Sequence, residues 1–183
     1  MSNNMHNFKK IFRKINERRI KFIGKFNHTR YMRLYLKYLK KYGMIIDGTP
    51  IYISPTVRID GTDFSLISIG DRCVISSDVL LLTHDYSLSR GMEAIGENVK
   101  KEVYMLGKIT IGKNCFVGAR SMLLPGTTLG NNVIVGAGSV VKGNIPDDSI
   151  IIGNPAKIVG NTMEWAKKKR ESAYYENEFE TKI

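Results

Sequence analysis

An aliphatic residue recurs every six positions through the middle of this chain, and few folds accept such a period. Ile69, Ile75 and Leu81 share one phase, which resumes with Ile111, Val117, Leu123, Leu129, Val135 and Val141. The gap from Leu81 to Ile111 is itself a multiple of six, so the phase survives an interruption. Backwards from Ile69, Asp63 breaks the series and Val57 and Ile51 rejoin it. Four residues after the aliphatic position stands something compact: Cys73, Val79, Cys115, Ser121, Thr127, Val133 or Ser139. Glycine often follows the aliphatic residue directly, as at Gly70, Gly112, Gly118, Gly130 and Gly136. A coil of short flat strands joined by tight corners has this pattern. The aliphatic side chain points inward, glycine or asparagine relieves strain at the corner, and only a small side chain fits the tapered interior. A sandwich of alternating strands would instead give period two and wider turn spacing. Cys73 and Cys115 then read as packing residues.

Charge is concentrated rather than spread. The chain carries 28 Lys and Arg against 17 Asp and Glu, a net +11, yet thirteen of the basic residues lie between Lys9 and Lys41 beside one acid, Glu17. A near-neutral body with a basic arm implies a localised contact, and no nucleic-acid reading motif is present. Within the arm Phe8, Ile11, Phe12, Ile15, Phe22 and Phe26 recur at helical spacing. Tyr31, Leu34, Tyr35, Tyr38 and Leu39 mark a second amphipathic helix, with Gly24 and Asn27 between the two. Two readings of the pair stand: a cap on the open end of the coil, or a basic amphipathic segment resting on anionic lipid. No apolar run approaches the roughly 20 residues needed to cross a bilayer. Charge interrupts every early apolar stretch before it reaches signal-peptide length. Two cysteines are too few for a disulfide scaffold and lack metal-site spacing. The expectation is a soluble cytoplasmic protein, with the arm able to sit at the inner face of the membrane.

The segment from Ile109 to Gly160, with "VGAGSVV" and "IIIGNPAKIVG", resembles the hexapeptide-repeat acyltransferases. Its nearest branch holds the galactoside, maltose and serine O-acetyltransferases and those of capsule and O-antigen loci. The resemblance covers about 51–160. It implies an all-β solenoid, a left-handed parallel β-helix, assembled as a homotrimer with active sites between subunits. Handedness and trimer rest on the resemblance alone, since parallel crossovers are ordinarily right-handed. The expected organisation is a basic helical arm over 1–45 and a β-helix over 46–160 with an inserted loop at about 83–108. A short helix with Trp165 and an acidic tail follow over 161–183.

The resemblance also implies chemistry: transfer of an acetyl group from acetyl-CoA to a hydroxyl of a saccharide. Such transfer needs a base of near-neutral pKa, which histidine supplies. Of three histidines, His6 and His28 fall in the arm, and only His84 lies in the repeat body, at the root of the loop. Long ordered loops in a regular coil usually serve function, although a lone surface histidine can also be idle. The "THD" setting of Thr83–Asp85 matches the family's general base, so His84 takes that role by resemblance. Asp60, Asp63 and Asp85 are candidate partners; Asp60 and Asp85 are also candidates for the acceptor side, and Asp63 reads as a turn residue. For the coenzyme, Gly118, Ala119, Gly136 and Ala137 match positions where the pantetheine arm meets the backbone. Gly118 or Ala119 is the expected oxyanion donor. Lys142 and Lys157 are candidates for its phosphates, Lys142 being displaced by one position from the family pattern. Three converging histidines for zinc are lacking, so no metal is expected. N-acetylation of an amino sugar or antibiotic, and a non-catalytic scaffold, remain alternatives.

Overall fold

In a computed structural model of the protein, residues 2–61 and 63–174 are described; Thr62, the acidic tail from 175 on and the side chains of residues 2–10, Phe8 among them, lie outside the description. Two helices come first, α1 (Ser2–Ile23) and α2 (His28–Lys41). The Asn27 side chain accepts from the Arg30 N–H at 2.8 Å and so starts α2. The chain then winds into coils. The first holds β1 (Ile45–Ile46), β2 (Tyr52–Ile53) and β3 (Arg58–Ile59), and the second β4 (Ile67–Ile69), β5 (Val74–Ile75) and β6 (Leu80–Leu81). An excursion follows, with β7 (His84–Asp85), α3 (Ser87–Ala94) and β8 (Met105–Leu106). Coiling resumes with β9 (Ile109–Ile111), β10 (Phe116–Val117) and β11 (Met122–Leu123), then β12 (Thr128–Leu129), β13 (Ile134–Val135) and β14 (Val140–Val141). A partial last coil has β15 (Asn144–Ile145) and β16 (Ser149–Gly153); β17 (Ala156–Asn161) turns back, and α4 (Thr162–Lys169) and a 3-10 turn (Arg170–Ser172) follow.

Each coil contributes one strand to each of three parallel faces. Face A runs β1-β4-β9-β12-β15, face B runs β2-β5-β10-β13-β16 with β17 antiparallel at its end, and face C runs β3-β6-β11-β14. In-register stacking places Ile69 beside Ile111 and Leu129, and Leu81 beside Leu123 and Val141, at 0–1 % exposure. These are the residues of the six-fold phase, and they form the core. The excursion leaves from the C–A edge and returns to it, because the Leu82 N–H still donates to Leu123 O and the Gly107 N–H to Thr83 O, both at 2.9 Å.

Two expectations need correction. In the first coil the strand positions of the aliphatic phase are held by Ile53 and Ile59, paired with Ile75 and Leu81, while Val57, buried at 1 %, takes the compact corner position level with Val79. The longer C–A corner at 60–66 shifts the phase, which puts Ile51 outside at 48 % exposure. The glycines after the aliphatic position also have another cause. A Cβ on Gly70 would lie 2.6 Å from Gly112 O, so glycine there permits close stacking of coils. The left-handed backbone sits two residues later, at Arg72, Asp78, Asn114, Arg120, Asn132 and Asp148, with φ of 56–59°.

The compact interior residues prove to be donors as well as fillers. Cys73 Sγ donates to Gly112 O at 2.9 Å, Cys115 Sγ to Gly130 O at 3.0 Å, and Ser121 Oγ to Gly136 O at 3.0 Å. Each satisfies a corner carbonyl that the strand ladder leaves over. At the A–B edge Asn114, Asn132 and Asp148 form a side-chain ladder with steps of 2.8 Å.

α2 closes the open end of the coil: Tyr31, Tyr35, Tyr38 and Leu39 are buried, and Tyr31 OH donates to Ile53 O at 2.7 Å. At the other end, Asn161 caps α4 by accepting from the Met163 and Glu164 N–H groups.

Candidate active site

His84 stands where the chain leaves the second coil, and Asp60 occupies the same edge one coil earlier, directly after β3. The Asp60 carboxylate is held on every side that faces the chain. Its Oδ1 accepts from the Thr83 N–H at 2.8 Å and from Thr83 Oγ1 at 2.9 Å. Its Oδ2 accepts from His84 Nδ1 at 2.7 Å and from the His84 N–H at 3.4 Å. The two side chains are 27 % and 14 % exposed, so the contact is partly shielded from water. With Nδ1–H given to Asp60, the proton-accepting lone pair is on Nε2.

Two tyrosines flank the imidazole. Tyr86, from the start of the excursion, and Tyr104, from its end, meet His84 edge-on with ring centroids at 5.2 and 6.4 Å, and each other at 4.9 Å. The excursion is pinned so that both hold station. Ser89 Oγ accepts from the Val103 N–H at 2.6 Å and donates to Val103 O at 2.8 Å, and Arg90 pairs with Glu102 at 2.8 Å. On another side Gly61, at φ +70°, leaves the ring uncovered; a Cβ there would lie 3.7 Å from His84 Cε1. Beyond Gly61 opens a groove of about 340 Å³, lined by Ile59, Gly61 and Phe64 and by Ile11, Arg13, Lys14 and Glu17 of α1.

Of the three candidate carboxylates, only Asp60 reaches the imidazole. Asp85 turns away to accept from the Ser87 N–H at 2.8 Å, which holds its carboxyl below the usual range, with the charge of Lys142 helping. Asp63 accepts from the Ser65 N–H at 2.9 Å, which suits the turn role read from its position.

The coenzyme candidates lie elsewhere. Gly118 and Ala119 form the B–C corner of the third coil, with Gly136 and Ala137 directly above them. The Gly118 N–H donates to Val135 O at 2.8 Å and the residue is buried, so Gly118 is not free to donate to an oxyanion. The Gly136 N–H is likewise given to Ile151 O. Among the described residues nothing accepts from Ala119 or Ala137 N–H, and these two corners lie within reach of solvent. Lys142 sits on the C–A edge close to Asp85, and Lys157 is exposed on β17. One chain therefore holds two separate groups: His84, Asp60, Asp85 and Lys142 on the C–A edge, and Gly118, Ala119, Gly136 and Ala137 on the B–C edge. The width of face C, at most about 20 Å of extended chain, divides them. A third feature is a cavity of about 560 Å³ on face B, lined by Ile134, Ile150, Ile152, Val159, Trp165 and Lys168 among others.

Sequence reasoning missed the tyrosine pair and the bond from Thr83 to Asp60. Tyr86 and Tyr104 become neighbours only because β7 pairs with β8, His84 opposite Leu106, and no residue pattern at the two ends announces that pairing. Among the described residues no group of three or more His, Cys, Asp or Glu could hold a metal ion.

Residues 108–142 match the model "Hexapeptide repeat of succinyl-transferase". Protein CapG of Staphylococcus aureus is 37 % identical over 137 residues, which cover 75 % of this chain and 77 % of CapG. The putative lipopolysaccharide biosynthesis O-acetyl transferase WbbJ of Escherichia coli is 31 % identical over 64 % of this chain, and the match spans 60 % of that relative's length. A hexapeptide-repeat acetyltransferase of Vibrio cholerae, solved with acetyl coenzyme A, superposes with a TM-score of 0.53 at 20 % identity, covering 82 % of this chain and 87 % of that one. A galactoside acetyltransferase solved with coenzyme A gives 0.53 at 21 % identity, over 89 % and 84 %. With its six-residue period, three-faced coil and these likenesses, the chain belongs to the hexapeptide-repeat acetyltransferases and has their left-handed parallel β-helix fold.

Proposed function

We propose that the protein moves an acetyl group from acetyl-CoA to a hydroxyl of a saccharide, in a surface polysaccharide or its precursor, with His84 as general base. The 2.7 Å contact between His84 Nδ1 and Asp60 Oδ2 carries this reading. It fixes the tautomer that accepts a proton at Nε2 and favours the imidazolium once formed. As the acceptor oxygen attacks the thioester carbonyl, Nε2 takes its proton. The uncommitted N–H of Ala119 or Ala137, from a neighbouring copy, is the candidate donor to the carbonyl oxygen as charge gathers there. The imidazolium then returns the proton to the departing thiolate, so no covalent enzyme intermediate is needed. Uncommitted N–H groups on two stacked corners suit an extended, amide-bearing arm lying against the backbone. Lys142 and Lys157 are the cations for its phosphates. The names of relatives, O-acetyl transferase in WbbJ and galactoside O-acetyltransferase in an E. coli protein 31 % identical over 99 residues, favour a sugar hydroxyl over an amine.

A homotrimer would set the His84 edge of one copy against the surface of another. Outward residues on face A are polar from the second coil on: Ser68, Thr110, Thr128 and Asn144. Those on face B are Tyr52, Val74, Phe116, Ile134 and Ile150, and those on face C include Leu80, Met122 and Val140. Two apolar faces beside one polar face suit head-to-tail packing of face C on a neighbour's face B, closed into a ring. That packing brings the His84 edge of one copy beside the face B cavity of the next. A site of action in the cytoplasm, near the inner face of the membrane, would give the protein both acetyl-CoA and a glycan precursor.

The test is coenzyme A release from acetyl-CoA against simple sugars, amino sugars and oligosaccharide repeat units, comparing wild type with His84→Ala and Asp60→Asn. Acceptor-dependent release that falls roughly 10²–10⁴-fold in His84→Ala supports the assignment, with a smaller fall in kcat for Asp60→Asn. Equal turnover by wild type and His84→Ala sinks it.

A further inference from the structure

α1 is turned inside out relative to the coil it lies against. Its inward face is ionic. Glu17 pairs with Lys21 at 2.9 Å and accepts from Tyr38 OH at 3.0 Å, and Lys21 also donates to Val57 O at 3.1 Å. The Arg13 guanidinium lies 4.3 Å from the ring centroids of Tyr42 and Phe64 and donates from Nε to Tyr38 OH at 3.3 Å. Among the described residues of α1, Ile20 is buried and Ile23 is half-buried against the core. The opposite face, and the turn after it, carry Ile11, Ile15, Phe22 and Phe26, which share one side of the helix at 56, 48, 59 and 77 % exposure. Lys14, Arg18 and Lys25 border that stripe on one flank and Arg19 on the other. An amphipathic helix facing only water would turn such a stripe toward the core. Here the core side is already filled by a hydrogen-bonded ionic set, so the stripe is left for another occupant.

We infer that this face of α1 seats the protein on an anionic lipid surface, with the apolar stripe in the interfacial layer and the flanking cations against headgroups. Charge complementarity selects that occupant. The stripe is bordered by cations, and the 1–45 arm is where the net charge of the chain is held. A second copy of the same basic face would meet it with like charge. The helix is too polar to span a bilayer, so the contact is peripheral. The placement also bears on the acceptor and here rests on the proposed acetyl transfer. The groove is walled on one side by Lys14 and by Ile11, which stands at the edge of the stripe, and on the other by Gly61, where a Cβ would lie 3.7 Å from His84 Cε1. A saccharide carried on a lipid anchor would enter it from the membrane side.

Vesicle sedimentation of the full chain tests this, with phosphatidylcholine vesicles set against vesicles containing about a third phosphatidylglycerol. The wild type should bind the anionic vesicles and release from them at high salt. Phe22→Ser with Phe26→Ser should cut the partition coefficient by roughly tenfold or more, since each phenylalanine buries apolar area in the layer. Lys14→Glu with Arg18→Glu should cut it comparably while leaving the circular dichroism spectrum unchanged. Equal partition by wild type and both variants overturns the inference, as does stripe-dependent self-association without vesicle binding. Vesicle binding does not require turnover, so loss of the acetyl-transfer reading would leave this result standing, and the converse holds.

Discussion

The coils and α1 obey opposite rules. From the second coil on, every aliphatic residue of the six-residue phase points inward, to 0–1 % exposure at Ile69, Ile75, Leu81, Leu123 and Leu129. In α1 the aliphatic and aromatic stripe points outward and the ionic residues point in. A closed coil has one interior, so a periodic apolar residue has a single place to go. A helix lying along the end of that coil has two sides, and its period tells that a stripe exists without telling which way it faces. What decided the direction here is the neighbour: Tyr38, Tyr42 and Phe64 offer a hydroxyl and ring faces, which suit Arg13 and Glu17 better than they suit isoleucine.

That contrast can be broken or sharpened by three substitutions. Leu123→Ala, in the coil core, should destabilise by about 2–5 kcal/mol through lost burial and a cavity, as read from urea unfolding. Glu17→Ala, on the inward face of α1, removes an acceptor shared by Tyr38 and Lys21 and should cost about 1 kcal/mol. Ile15→Ser, on the outward stripe, should change stability in the absence of lipid by no more than about 0.5 kcal/mol. A loss at Ile15 as large as that at Leu123 would mean the stripe is packed in the isolated protein, and the contrast would be gone.

The same contrast explains what the sequence made legible. The coil, its interruption and the place of His84 follow from spacing alone, because the inward residue, the compact residue and the corner repeat at fixed offsets. Asp60 could be named as a partner from an earlier coil but not preferred over Asp85. The preference depends on β3 pairing with β6, Ile59 beside Leu81, so that Asp60 falls beneath Thr83 and His84, a register that the longer corner at 60–66 moves out of the six-residue phase. Asp85 is adjacent in sequence but is diverted to the Ser87 N–H by the local turn. Gly118 was a poor oxyanion donor for a reason that spacing hides: a glycine needed for close stacking also gives its N–H to the coil above. Tyr86 and Tyr104 were illegible because they converge through a hairpin whose strands are two residues each.

The corners differ in how freely their length varies. Along the B–C edge every corner has the same extent: 54–57, 76–79, 118–121 and 136–139. Along the C–A edge the connections are 60–66, 82–108, 124–127 and 142–143, yet the strands on either side remain in register. The prism thus has a tolerant seam, and the proposed catalytic histidine, its carboxylate and the tyrosines all sit on it. Sequence can be spliced into that seam, or exchanged there, without re-indexing the core. A graft of residues 85–104 from a relative would change what surrounds His84 while leaving Asp60, Thr83 and the three faces as they are, which makes this edge the natural place to retarget the molecule.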